Sequence, residues 1–216
     1  MIIQLKNSIS LEQANQFASE NQSFCIQLDG MTLLITGSGV KNVPDSLEKS
    51  TEQYWVFPND MQLASKAFNA KKREIKLANV TIGGETKNTI LIGGPCSVES
   101  EEQIRSSAEL LKGLGLTTLR GGCYKPRTSP YSFQGMGIEG LKLLAKMREE
   151  YGLNVITEAR DATHIEEIIE YTDVIQIGAK AMYDQGILRA CAKINKPVLI
   201  KRGFGTTLQE FVQAAE

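Results

Sequence analysis

From Thr89 onward, short apolar runs alternate with stretches in which apolar residues recur at i, i+3 and i+4. The runs TILIGG (89–94), TTLRGG (117–122), LNVITEA (153–159), DVIQIGA (173–179) and PVLIKRG (197–203) each carry a few apolar residues and end in Gly or a charged residue, as strands buried on both faces do. Between and after them, IRSSAELLKGLG, IEGLKLLAKMREEYG, ATHIEEIIEYT, GILRACAKIN and TTLQEFVQAAE have the helical period, and several end at Gly or Asn. Five βα units are predicted. Repeated βα units imply a parallel sheet, either open and doubly wound or closed as a (β/α)₈ barrel. A full barrel takes about 250 residues, so five units over residues 89–216 fall roughly three short of it. The expectation is an incomplete barrel, cut within its fifth helix.

The first 66 residues have a different rhythm. IIQL reads as a strand, and Ser10 as the cap of a helix running to about Glu20 with Leu11, Ala14 and Phe17 on one face. SFCIQLDGMTLLITG places apolar runs on either side of Asp29-Gly30, a two-residue hairpin signal. VPDSLEKS predicts a short helix and YWVF a fourth strand, the element order of a small ferredoxin-like α/β domain. Residues 67–88 read as a solvated linker, rich in Lys and Arg, followed by a hairpin over IKLANVTIGG. The domain expectation is therefore 1–66, a linker and barrel-capping hairpin over 67–88, and a barrel over 89–216.

Composition narrows the function classes. With 24 Lys and Arg against 25 Asp and Glu, a net charge of -1 gives no general attraction to nucleic acid or to an anionic membrane. No apolar run approaches the roughly 20 residues needed to span a bilayer, and the opening MIIQLKNSISLEQ is too short and polar for a secretory signal. A cytoplasmic protein is expected. The four cysteines show no C-x-x-C pairing, and one histidine, His164, argues against a Ser-His-Asp centre or a two-histidine metal site. His164 is expected at the surface, and Cys25, Cys123 and Cys191 as inert thiols.

Charged side chains do recur at one kind of position: Arg120 with Lys125 and Arg127, Glu158, Lys180, and Lys201 with Arg202 all follow a predicted strand. The carboxyl ends of parallel strands converge on one mouth, and contributions from every strand favour a barrel over an open sheet. Six cations against one carboxylate in a neutral chain read as a site for a ligand with more than one anionic group. Cys96, in GGPCSVES after the first barrel strand, is either a buried inert thiol or a metal-binding thiolate.

The strings GGPCSVES, LRGGCYKPRTSPYSFQG, VITEA, QIGA and KPVLIKRG, in this order, resemble 3-deoxy-7-phosphoheptulonate (DAHP) synthase of type I, the subtype with an amino-terminal ferredoxin-like domain. The resemblance covers about Thr89 to Glu216 and implies a TIM (β/α)₈ barrel of the class I aldolase type. It implies condensation of phosphoenolpyruvate with erythrose 4-phosphate, the first step of the shikimate pathway to chorismate and the aromatic amino acids. By the same resemblance, Arg120, Lys125, Lys180 and Lys201 clamp phosphoenolpyruvate, and Arg127 and Thr128 receive erythrose 4-phosphate. Glu158 orients water, Lys125 also donates a proton to the new alkoxide, and Cys96 ligates a divalent metal of the Mn, Fe, Co or Zn type. An aromatic amino acid effector acting through residues 1–66 and a homo-oligomer are further implications. At Lys180 the family carries arginine, and a lysine does not reproduce a bidentate guanidinium contact. The family's other three metal ligands, a histidine, a glutamate and an aspartate, lie on barrel strands that this sequence does not reach. The alternative is a non-catalytic, truncated paralogue that binds anions or aromatic amino acids, or associates with a complete synthase.

Overall fold

The computed structural model describes residues 1–125 and 127–216. Two compact units are present, Met1–Lys71 and Lys72–Ala215. No helix among the described residues is long and apolar enough to cross a membrane.

The first unit runs β1 (Ile2–Leu5), α1 (Leu11–Glu20), β2 (Phe24–Leu28), β3 (Met31–Ile35), a 3-10 turn (Asp45–Ser50) and β4 (Thr51–Trp55). Its sheet has the order β2-β3-β1-β4, antiparallel throughout, which is the ferredoxin-like arrangement. Register follows from alternation: Ile3 and Leu34 pair and face α1, while Ile2 and Leu33 face the other side with Phe57. Asp29 and Gly30 both have positive φ, 50° and 79°, so the hairpin closes through the two-residue turn whose twist matches the strands. Ser10 caps α1 in a reciprocal box with Gln13.

Two expectations are corrected here. The buried stripe of α1 is Ala14 and Ala18, small residues that let the helix lie close to the sheet, and Leu11 is 49% exposed. The second helix shrinks to the 3-10 turn, because only Leu47 in Asp45–Ser50 is buried and six residues present too little apolar surface to hold an α-helix.

The second unit opens with a hairpin, β5 (Glu74–Lys76) and β6 (Thr81–Gly83). Five βα units follow: β7 (Ile92–Gly93) and α2 (Glu101–Gly113), β8 (Thr118–Arg120) and α3 (Ile138–Tyr151), β9 (Asn154–Ala159) and α4 (Ile165–Tyr171), β10 (Val174–Ile177) and α5 (Gln185–Cys191), β11 (Val198–Ile200) and α6 (Leu208–Ala215). The strands are parallel and lie in chain order, β7 to β11. A doubly wound sheet reverses direction at a switch point; an unbroken sequential order is that of a barrel wall. The helices pack their apolar faces on this wall through Ile104, Leu141, Leu144, Met147, Ile168 and Ile187. Central strands β9 and β10 are buried almost throughout, whereas Ile92 on edge strand β7 is 43% exposed.

Removing the cap hydroxyl in Ser10→Ala is expected to lower stability by about 1 kcal/mol. The single tryptophan, Trp55, packs edge-on against Phe68 in the same unit, so its fluorescence during urea unfolding reads the shift. In the second unit, Leu144→Ala empties a fully buried position and is expected to cost about 2–5 kcal/mol, measured as a lower urea midpoint by far-ultraviolet circular dichroism.

Candidate active site

Because the five strands are parallel and in order, the residue after each carboxyl end falls on the same edge of the sheet. That edge carries Cys96 after β7, Arg120 at the end of β8, Glu158 near the end of β9, Lys180 after β10 and Lys201 after β11.

The turn Gly94-Pro95-Cys96 is the acceptor for two of the cations. Arg120 Nη1 donates to Pro95 O at 2.9 Å and Cys96 O at 3.2 Å. Lys125, only 7% exposed, donates from Nζ to Cys96 O at 2.8 Å and to Cys96 Sγ at 3.2 Å. Two glycines make this approach possible. Gly94 has φ +131°, and a side chain there would run into the Arg120 carbonyl; a Cβ at Gly122 would come within 2.8 Å of Cys96 O and 3.2 Å of Lys125 Nζ. Cys96 is exposed, and its thiol is held below the ordinary range, first by the hydrogen bond from Lys125, next by the charge of Lys125, with Arg120 and Arg127 adding to it. Burial instead pushes Cys123 up to about 12 and raises Cys191 and Cys25, consistent with inert thiols.

Glu158 is the common counter-ion. Its Oε2 lies 3.9 Å from Arg120 Nη2 and 4.0 Å from Lys201 Nζ, and accepts a hydrogen bond from Gln176 Nε2. Gln176, a buried amide in the middle of β10, was not among the site residues expected from sequence; its signal is a polar residue inside the apolar run VIQI. Gly178 leaves room for the carboxylate, since a Cβ there would overlap Glu158 Oε1.

Two clefts that share Arg160 and Lys180 open here, the first of them beside this carboxylate. One, of about 300 Å³, is lined by Glu158, Arg160, Lys180, Asp184, Lys201 and Phe204 among others. The second, of about 420 Å³, is lined by Arg127, Thr128, Arg160, Asp161 and Lys180. The expected site residues thus fall into three linked groups: Cys96 with Lys125 and Arg120, Glu158 with Lys201 and Lys180, and Arg127 with Thr128. Arg202 stands apart and donates to Thr206 O at 3.0 Å. Arg160, which lines both clefts, is a second residue that sequence reasoning missed. The expectation for His164 is corrected. It is partly buried, with Nδ1 2.8 Å from Asp161 Oδ1 and its ring 3.9 Å, centroid to centroid, from that of Tyr124.

The sequence profile of the DAHP synthetase I family matches residues 62–216. The chain belongs to this family. It is 44% identical over 155 residues to phospho-2-dehydro-3-deoxyheptonate aldolase of Thermotoga maritima, a match that takes in 72% of this chain and 45% of the relative. It is 34% identical over 137 residues to 2-dehydro-3-deoxyphosphooctonate aldolase of Fusobacterium nucleatum, across 60% of this chain and 49% of that one. Among solved structures, phospho-2-dehydro-3-deoxyheptonate aldolase (DAHP synthase) from Thermotoga maritima superposes with a TM-score of 0.69 at 35% identity, covering 99% of this chain and 64% of the other. The chain spans about half the length of the curated relatives it matches.

A DAHP synthetase I family member raises the question of a metal. Cys96 supplies one soft donor, but no group of three His, Cys, Asp or Glu side chains among the described residues could hold a metal ion. A catalytic site takes about three protein ligands, so these residues do not fit the metal by themselves.

A depressed thiol pKa means that Cys96 is thiolate over a pH window in which an ordinary cysteine, titrating near 8.5, is still protonated. Iodoacetamide alkylation of the metal-free protein, followed by peptide mass spectrometry, is expected to label Cys96 first, with a rate profile that rises at lower pH than that of an ordinary cysteine. Lys125→Met removes the two largest causes of the shift and is expected to move that profile to higher pH. An unmoved profile would assign the shift to something other than Lys125.

Proposed function

We propose that these residues bind and react the two substrates of DAHP synthase, phosphoenolpyruvate and erythrose 4-phosphate. The observation that carries the reading is the gathering of Arg120, Lys180 and Lys201 from the ends of β8, β10 and β11 about Glu158 on β9, in a chain whose net charge is -1. Such a local excess of cations suits a ligand bearing both a phosphate and a carboxylate. Two adjacent clefts suit two anionic ligands, this one and a second phosphate ester, held side by side, which turns a bimolecular encounter into a positioned one.

In this reading the first cleft, lined by Lys180 and Lys201, holds phosphoenolpyruvate together with Arg120 and Lys125 from the same strand-end edge, and the second, with Arg127 and Thr128, holds the aldose phosphate. The enol carbon attacks the aldehyde carbon and a carbon–carbon bond forms. Lys125 is suited to protonate the resulting alkoxide: of its three N–H donors, two are occupied by Cys96 O and Sγ, which leaves one for the substrate. Water held by Glu158 then adds to the cationic carbon that bore the phosphate ester, and inorganic phosphate leaves. The family in general works with a divalent metal ion; Cys96, an exposed thiol hydrogen-bonded by Lys125, is the residue of this chain suited to contribute a ligand. Residues 1–66 are assigned a regulatory role, in which an aromatic amino acid is the effector.

The test uses the protein as its own cell makes it, with phosphoenolpyruvate consumption followed by its ultraviolet absorbance. Consumption is expected only when erythrose 4-phosphate is present. Lys125→Ala is expected to lower kcat by roughly 10²–10⁴-fold, the usual value of a positioned proton donor. Arg127→Ala is expected to raise KM for erythrose 4-phosphate and leave that for phosphoenolpyruvate in place. Consumption of phosphoenolpyruvate without the aldose phosphate, or an undiminished Lys125→Ala, would overturn the assignment.

A further inference from the structure

Arg160 follows β9 directly and lines both clefts, yet neither the strand-end pattern nor the resemblance singles it out. Its side chain is 41% exposed, and its ion-pair partner among the described residues is Asp161, with Nε 3.9 Å from Oδ2. That separation is too long for a hydrogen bond, so the pair orients the guanidinium without saturating it. Among the described residues the guanidinium has no hydrogen-bond partner.

Asp161 is itself fixed. Its Oδ1 accepts from Thr163 N at 3.0 Å and from the Thr163 hydroxyl, and lies 2.8 Å from His164 Nδ1. One oxygen is thereby committed to its own turn, and the other faces Arg160. Asp161 lines only the second cleft, so the carboxylate draws Nε to that side and leaves the two terminal nitrogens as an open fork. Arg127 lines the same cleft. Two guanidiniums meeting one already engaged carboxylate leave an uncompensated positive charge suited to a dianion. Lys180, the remaining cation there, is a point charge and cannot offer a fork.

We propose that Arg160 is a further substrate-binding residue, which grips the phosphate of the aldose phosphate in the second cleft and is held for that task by Asp161. The proposal rests on the functional reading above, and it adds a residue and a direction to it: the fork serves the aldose phosphate, while phosphoenolpyruvate lies with Lys201 and Glu158.

Calorimetric titration of the 216-residue chain with erythrose 4-phosphate and, separately, with phosphoenolpyruvate tests this. Arg160→Ala is expected to weaken erythrose 4-phosphate binding by roughly tenfold or more, the scale of one charge-assisted hydrogen bond, and to change phosphoenolpyruvate binding by less than about twofold. Arg160→Lys keeps the charge and loses the fork, and is expected to fall between. Arg202→Ala removes a cation that lines neither cleft and is expected to leave both affinities in place. Circular dichroism of each variant confirms that it folds. The proposal is overturned if Arg160→Ala binds erythrose 4-phosphate as the parent does, if it loses both ligands by the same factor, or if Arg202→Ala matches its effect. Binding of phosphoenolpyruvate but not erythrose 4-phosphate by the parent chain also overturns the Arg160 assignment and leaves the first cleft's assignment standing. Binding of neither ligand overturns the functional reading itself.

Discussion

Burying an ammonium group is costly unless acceptors face it, and in this barrel wall the acceptors come from one turn. Pro95 and Cys96 turn their carbonyl oxygens toward Arg120 and Lys125. The geometry exists because Gly94 adopts a φ that a side chain would forbid and Gly122 carries no Cβ to block the lysine. A change at either glycine would therefore act on the cations and not only on the backbone. The lowered thiol of Cys96 is a by-product of the same arrangement: the lysine brought in for the carbonyl also reaches the sulfur.

The parallel sheet does the rest of the positioning. Its sequential strand order converts a spacing along the chain, one strand every few dozen residues, into adjacency at one edge. The charged side chains there are divided among the ends of β8, β9, β10 and β11, so no single loop has to present them all. The cost is like-charge crowding, and Glu158 is the main relief. Being held by Gln176 and given space by Gly178, it offers the arginine and lysine a shared partner at 3.9 and 4.0 Å. Those are loose distances, as they should be in a site where an incoming anion has to compete for the same cations.

Much of this was legible in the sequence. The five βα units, the cap at Ser10, the Asp29-Gly30 hairpin and the strand-end positions of Cys96, Arg120, Glu158, Lys180 and Lys201 all rest on local period or on turn chemistry, which the chain carries in adjacent residues. What was not legible depends on contacts between distant segments. Leu11 has the right spacing for a buried helix face, yet the sheet meets Ala14 and Ala18. Gln176 interrupts an apolar run visibly, but its partner Glu158 sits on the neighbouring strand. Arg160 lies two residues past Glu158 in plain view, and only the folded loop shows that it faces two clefts. Arg202 has the same strand-end position as Lys201 and turns away to a backbone carbonyl, because a single step along the chain at a strand end reverses the side of the sheet that a residue serves.

The sharing of Arg160 and Lys180 between clefts has an electrostatic consequence of its own. Charges a few ångströms apart in a partly desolvated site interact strongly, and the interaction is set by the net charge already present. The first anion to enter meets the full field of the shared cations. The second meets a field already partly neutralised, together with the charge of the first. Side-by-side occupancy therefore requires cations that belong to one cleft alone, and the wall supplies them: Lys201 lines the first and Arg127 the second, with the shared pair between. Asp161 works to the same end, since a carboxylate that draws Arg160 toward the second cleft divides a common field into two unequal ones.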